Sequence, residues 1–214
     1  MSNHPPPVEP LGTGRGVRLP RSERRAQLLE AAQQVFVERG YHAAGMDEIA
    51  DRASVSKPVL YQHFPGKLDL YLALMDQANE QMMDAVTAAL ASTEDNKQRV
   101  LATMEAYFEF VSREGAPYRL VFESDLINDP QVAGRVKEAE KHTAETLARL
   151  IWQDTGLSDE RALLVAQGVT GMAQTSARFW LAQGRSIPLG EAARLVAALA
   201  WRGIGAFPRR GTGR

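Results

Sequence analysis

SVSKPVLYQHFPGK, residues Ser54 to Lys67, reads as a short helix bounded by two breaks. A proline inside a helix removes an N–H and clashes with the preceding turn, except in the first turn, where that N–H has no intrahelical partner. Pro58 therefore sets the helix start at Lys57, with Ser56 as the expected N-cap, and the helix runs to about His63. Upstream, GMDEIADRA (Gly45 to Ala53) reads as a second short helix from Met46 to about Ala53, leaving Ser54 and Val55 as the corner. Val55, Leu60 and Phe64 form an apolar side directed at Ile49, Ala50 and the preceding helix. Lys57, Pro58, Val59, Tyr61, Gln62 and His63 are left facing outward.

Further out, Leu28, Leu29, Ala31, Ala32, Val35 and Phe36 recur at helical spacing, and Gly40 follows as a stop signal. Past the Pro65-Gly66 break, an apolar pattern starts at Lys67 and passes Leu90, long enough to link two parts of a molecule. Further helices are expected near 95–112, 116–126, 130–154, 159–183 and 189–204, separated by EGAP, NDP, DTGLSD and GRSIP. No β-alternation or hairpin signal appears. The expected fold is all-α with about nine helices. Residues 1–20 would be a disordered arm, 21–67 a helix-turn-helix head, 68–207 a larger ligand-binding and dimerisation domain, and 208–214 a flexible basic tail.

Composition narrows the function. The 214 residues contain no cysteine, which excludes disulfides and thiolate metal sites. The N-terminus lacks the order of a signal peptide, and no apolar run approaches the roughly 18 residues of a membrane span, so a cytoplasmic protein is expected. Net charge is only −1, yet Arg15, Arg18, Arg21, Arg24 and Arg25 fall close together with only Glu23 among them. That is a local basic arm of the kind that contacts phosphates or a minor groove.

A helix-turn-helix presents the first turn of its second helix to the major groove. Lys57 can donate to guanine O6 or N7, Pro58 and Val59 can touch a thymine methyl, and Gln62 lies on the same face. Tyr61, His63 and Lys67 can donate to phosphate oxygens, Lys67 at a helix start that itself favours an anion.

The run RAQLLEAAQQVFVERGYHAAGMDEIADRASVSKPVLYQHFPGKLDLYLAL, Arg25 to Leu74, resembles the DNA-binding head of the TetR family of bacterial transcription regulators. The resemblance implies Lys57, Pro58, Val59 and Gln62 near bases and Tyr61, His63 and Lys67 on phosphates of a palindromic double-stranded operator. One departure is Ala44-Gly45 before Met46, where many relatives have Thr or Ser. Beyond the head, NKQRVLATMEAYFEFV, YRLVFESDL, QVAGRV, DTGL, GMAQTSARFWL and SIPLGEAARLVAALAWRGIGAFP resemble the actinobacterial branch that controls fatty-acid synthesis and senses long-chain acyl-CoA. That resemblance implies an acyl-CoA effector and no other cofactor. The alternative is a TetR-type repressor answering another hydrophobic small molecule, in efflux or catabolism control.

In the second half, Val165, Val169, Met172 and Trp180, with Gly168 and Gly171 between them, and Leu195 and Leu199 in the last helix form apolar stripes. In family terms these helices make a four-helix interface of a homodimer. Two heads would then stand about 34–36 Å apart, or a multiple of that. Met104, Tyr107, Phe108, Val111, Phe122, Leu126, Leu147, Ile151 and Met172 are candidate lining for a pocket between the middle helices. Each methylene buried there is worth roughly 0.8 kcal/mol.

Glu138, His142 and Glu145 share one helix face, which a solvated charged surface explains without a metal. Lys67 after Gly66 lacks the glycine run of a phosphate-binding loop. No Ser-His-Asp order, carboxylate pair or metal spacing supports an enzyme. A nucleoid-type binder without an effector is the remaining competitor, to be told apart by operator affinity indifferent to small molecules.

Overall fold

The computed structural model describes residues 19–113, 126 and 128–203. Among them are eight helices and no strand: α1 (Arg21–Ala43), α2 (Met46–Arg52), α3 (Lys57–His63), α4 (Lys67–Ala91), α5 (Asn96–Ser112), α6 (Pro130–Thr155), α7 (Asp159–Ala182) and α8 (Leu189–Arg202). The expected helix at 116–126, the arm and the tail fall outside the described residues, save for Leu126 and for Leu19 and Pro20.

The six apolar residues of α1 named above are all buried. Gly40 does not end that helix but kinks it: its φ of 73° suits glycine alone, and a last turn follows in a new direction before Ala44 N–H returns to the Gly40 carbonyl at 3.2 Å. The corner between α2 and α3 is closed by two crossed backbone bonds, Val55 N–H to the Ala50 carbonyl (3.0 Å) and Ser54 N–H to the Asp51 carbonyl (3.0 Å). This is a Schellman closure, and Ser54 takes its left-handed position at φ 53° where glycine is usual. Ser56 stands at the N-cap of α3, but its side chain caps nothing, contrary to the sequence expectation. Pro58 supplies no N–H, and the Val59 and Leu60 N–H groups already reach the Ser56 carbonyl at 3.0 and 3.2 Å, so few donors of that turn are left to cap. At α6 a side-chain cap does form: Asp129 Oδ1 accepts from Gln131 N–H (2.8 Å) and Val132 N–H (3.3 Å), with Pro130 in the first turn.

Two cores result. The head core joins α1, α2 and α3 with the first turns of α4, where Leu70, Tyr71, Leu72, Leu74 and Met75 are buried. Head packing therefore extends well past Lys67. Val132 of α6 is fully buried in the same core, with Leu126 and Val136 against it. Further along α4, Ala78 and Met82 pass into the body core, with Met104, Tyr107, Phe108, Phe110 and Val111 of α5 and small residues of α7 and α8. An alanine seam, Ala144 and Ala148 against Ala162 and Ala166, lets α6 and α7 approach closely. No helix among the described residues is long and apolar enough to cross a membrane.

Candidate nucleic-acid interface and ligand chamber

The α3 helix is braced from three sides. Leu60 and Phe64 anchor it in the head core, and the Arg25 guanidinium lies 4.3 Å above the Phe64 ring. Gln27 Nε2 donates to the Ala53 carbonyl at 3.0 Å, and Gln27 Oε1 accepts from Arg24 at 2.6 Å, tying the start of α1 to the corner. Arg52 reaches from α2 to both Glu38 oxygens on α1 at 2.8 and 2.7 Å. A helix this short has little stability of its own, so these contacts set its orientation.

Lys57, Pro58, Tyr61 and Gln62 are exposed as expected, while Val59 and His63 are half-buried. Val59, Gln62 and His63 form one wall of a surface groove of about 490 Å³, whose other wall is Leu19, Arg21 and Arg24. The start of α1 thus places its arginines beside the outward face of α3, a juxtaposition that the sequence order alone does not reveal. Burial, followed by the positive field of Arg21, Arg25 and Arg24, holds the His63 imidazole below its ordinary pKa. Lys57 is paired with Asp47 at 2.6 Å, and that hydrogen bond raises its pKa. Both side chains are open to solvent, so the lysine can exchange this partner for a base edge at small cost.

Lys67 is engaged within the head in the DNA-free structure. Its ammonium donates to the carbonyls of Tyr41 (2.8 Å), His42 (3.2 Å) and Ala44 (2.9 Å), which uses all three of its hydrogens, and sits 4.5 Å above the Tyr41 ring. It ties the kinked end of α1 to the start of α4, and no donor is left over for a phosphate. The same joint holds an aromatic cluster, with Tyr71 edge-on to both Phe36 (5.5 Å) and Tyr41 (5.2 Å).

In the body, a chamber of about 50 Å³ lies between α4, α5, α6 and α7. Met104, Tyr107 and Leu147 line it as expected. Phe108 and Val111 are buried in the body core, Met172 packs at its edge, and Ile151 belongs to the alanine seam, none of them on the chamber wall. Leu126 packs on the head core instead, and Phe122 lies outside the described residues. The wall also holds Met82, Val86, Thr103, Thr143, Val169, Thr170, Ala173 and Gln174. Met82 and Val86 were visible as part of the apolar pattern of α4; the polar members carried no sequence signal.

The stripes on α7 and α8 divide between inside and outside. Trp180 is mostly interior: its ring packs 5.4 Å from Phe108 and its indole N–H donates to the Ile187 carbonyl at 2.7 Å, and it lines a surface groove. Val169, Met172 and Leu199 are half-buried, whereas Val165 and Leu195 are exposed. The most exposed large apolar side chains among the described residues are Leu164, 74% exposed, and Phe179, 65% exposed, neither of which was expected. Between them Gly168 and Gly171 face open space. Near Phe179 and Leu195 the surface dips into a groove of about 530 Å³ floored by Phe108.

Residues 28–74 match the model of the tetR family of bacterial regulatory proteins. Over 197 residues the chain is 49% identical to the HTH-type transcriptional activator FasR of Mycolicibacterium smegmatis, covering 92% of this chain and 90% of that protein. A TetR-like transcriptional regulator from Rhodococcus sp. RHA1 superposes with a TM-score of 0.69 at 28% identity, covering 88% of this chain and 99% of that one. The fatty acid degradation regulator FadR from Bacillus halodurans superposes with a TM-score of 0.71 over 85% of this chain and 96% of that one, and at 20% identity shows a common fold alone. With a helix-turn-helix head and a relative this similar along nearly its whole length, the chain belongs to the tetR family: it is a DNA-binding transcription regulator closely related to FasR, and not an enzyme.

Proposed function

We propose that the protein is a homodimeric, effector-gated regulator of fatty-acid or lipid synthesis genes, with long-chain acyl-CoA as its effector and a palindromic operator as its target. The observation that carries gating is that two helices are shared between chamber and head. Met82 and Val86 of α4, and Thr143 and Leu147 of α6, line the chamber. The opposite ends of the same helices, Leu70 to Met75 and Val132, lie in the head core. Arg135 Nη1 joins the two helices through both oxygens of Asp76, at 2.8 and 2.9 Å. An occupant that spreads α4 from α6 must therefore move the head or strain its core, which is the differential interaction that gating requires. Packed cores have discrete arrangements, so a small displacement at the chamber can select between two head positions.

A dimer is favoured by the exposed face of Leu164, Gly168, Gly171, Phe179 and Leu195, where open glycines allow a second copy to approach closely. Pairing also doubles the bases read by one short α3. The base and phosphate contacts proposed are those of Lys57, Pro58, Val59, Tyr61, Gln62 and His63, with Arg21 and Arg24 joining them across the groove. The acyl-CoA assignment rests on the resemblance of the body to the fatty-acid-synthesis branch and on the mostly apolar chamber wall. The chamber's size favours a second reading, a regulator answering a smaller hydrophobic molecule. Its 50 Å³ is far below the roughly 300–1,000 Å³ of ordinary ligand sites, so an acyl chain has to open it.

The test is native mass spectrometry of protein purified from an acyl-rich host, followed by operator binding with long-chain acyl-CoA added. A dimer carrying an acyl species that changes operator affinity supports the proposal. A dimer whose operator affinity ignores acyl-CoA but responds to a smaller apolar compound favours the second reading.

A further inference from the structure

Two of the chamber's polar residues differ from the others. The Thr103 and Thr143 hydroxyls are returned to their own helices, donating to the carbonyls of Arg99 (2.8 Å) and Ala139 (2.9 Å). Thr170 and Gln174 stand one helical turn apart on α7, each only 9% exposed, and are the buried side chains of polar type among the described residues, tyrosines aside. Both line the chamber, and neither side chain makes a hydrogen bond among the described residues. A primary amide offers two donors and a carbonyl; no polar atom of Gln174 is sealed from solvent, so water can meet them in the empty protein, and an occupant that pairs with them takes the place of that water.

The rest of the wall limits what that occupant carries. Met82, Val86, Leu147, Val169 and Ala173 surround the amide, and no described wall residue is a Lys, Arg or His. An ionised group would lose its water here without a countercharge, whereas a neutral carbonyl needs a single donor. Resting on the chamber as the effector site, we infer that Gln174, with Thr170 beside it, is the chamber's specificity-determining anchor, its amide donating a hydrogen bond to an uncharged carbonyl buried within the bound effector. The hydrocarbon on either side of that carbonyl takes the apolar wall. Gln174 thus sets the register in which a long apolar ligand lies along α7, which apolar contacts alone leave free to slide.

The test compares the full-length wild type with Gln174→Leu and with Gln174→Met, which is closer in shape, so that misfolding of one variant leaves the other readable. The probes are a long-chain acyl N-acetylcysteamine thioester, the matching alkyl thioether that lacks the carbonyl, and the free fatty acid of equal length, each titrated by calorimetry. The wild type should prefer the thioester to the thioether by about tenfold, and either variant should bring the two within about twofold. Neither variant should lower the unfolding midpoint of the ligand-free protein, since no hydrogen bond within the described residues has been removed. A wild type indifferent to the carbonyl, variants that keep its preference, or variants that lose all ligands together with stability would each overturn the anchor. Tighter binding of the free acid than of the thioester would overturn the uncharged carbonyl. Failure of the wild type to bind any of the three would instead overturn the effector reading beneath it.

Discussion

Replacing Lys67 by Met separates two roles that one lysine cannot fill together. In the structure its ammonium holds three carbonyls of the α1 end, at 2.8, 3.2 and 2.9 Å. A hydrogen bond to a charged group contributes about 1.5–3 kcal/mol net. The three bonds share one charge and part of the site is open to water, so the sum falls well short of three full bonds. A loss of about 2–3 kcal/mol is expected, equivalent to lowering the unfolding midpoint by roughly 4–12 °C in a domain of this size. Met keeps the apolar stem, so packing along Tyr41 is largely retained. Denaturant and thermal unfolding followed by far-UV circular dichroism measure the stability. Operator binding at several salt concentrations measures the phosphate contacts. The salt slope of the folded variant should equal that of the wild type. A lysine that neutralises one phosphate per head would instead leave stability unchanged and reduce the slope by about 0.9 for each phosphate no longer neutralised. That second pattern would refute the internal role assigned to Lys67.

Ser54→Gly should stabilise the protein by about 1 kcal/mol, because Ser54 holds a left-handed conformation that costs a side chain about that much; a lower unfolding midpoint would count against the strained corner. The depressed pKa of His63 means that the unfolded chain binds more protons there, so its contribution to stability is complete above the ordinary imidazole value of about 6.5 and is lost as pH falls below it. Operator phosphates would restore that proton, so affinity should rise on acidification from about pH 8 to 6 with net proton uptake in calorimetry, and His63→Gln should flatten both profiles. Phe179→Asp or Leu164→Asp should convert the proposed dimer to a folded monomer in sedimentation velocity, whereas an unchanged mass would place the interface elsewhere. Asp76→Ala removes a half-exposed ion pair and should alter stability by less than about 1 kcal/mol while weakening the effector's influence on operator affinity; an intact response would exclude the α4–α6 bridge from transmission.

Most of the architecture is written in local patterns. Pro58 can stand only in a first helical turn, Pro130 after Asp129 announces a capped helix, and the apolar spacing from Leu28 to Phe36 allows one buried face. Each of these depends on residues within a turn or two of one another, so a linear reading captures it. The outward face of α3 follows in the same way from the burial of Leu60 and Phe64. Apolar periodicity, however, marks burial without saying what does the burying. Trp180 and Phe179 are adjacent apolar residues of α7, yet the first is covered by Phe108 and the second faces outward, because the direction from which α5 and α8 approach α7 distinguishes them. Leu126 belongs to an apolar stretch that suits a pocket, but packing carries it to the head.

The sequence alone was sufficient for the all-helical class, the helix-turn-helix head and the family, since those rest on short-range stereochemistry and on a contiguous motif. Folding in three dimensions assigned the partners. Lys67 finds carbonyls more than twenty residues upstream, α6 inserts Val132 into a head core formed otherwise by the first four helices, and Gln174 is enclosed by four helices that leave its amide without a partner among the described residues. A polar side chain's role is set by what surrounds it, and those surroundings exist only once distant segments have packed together.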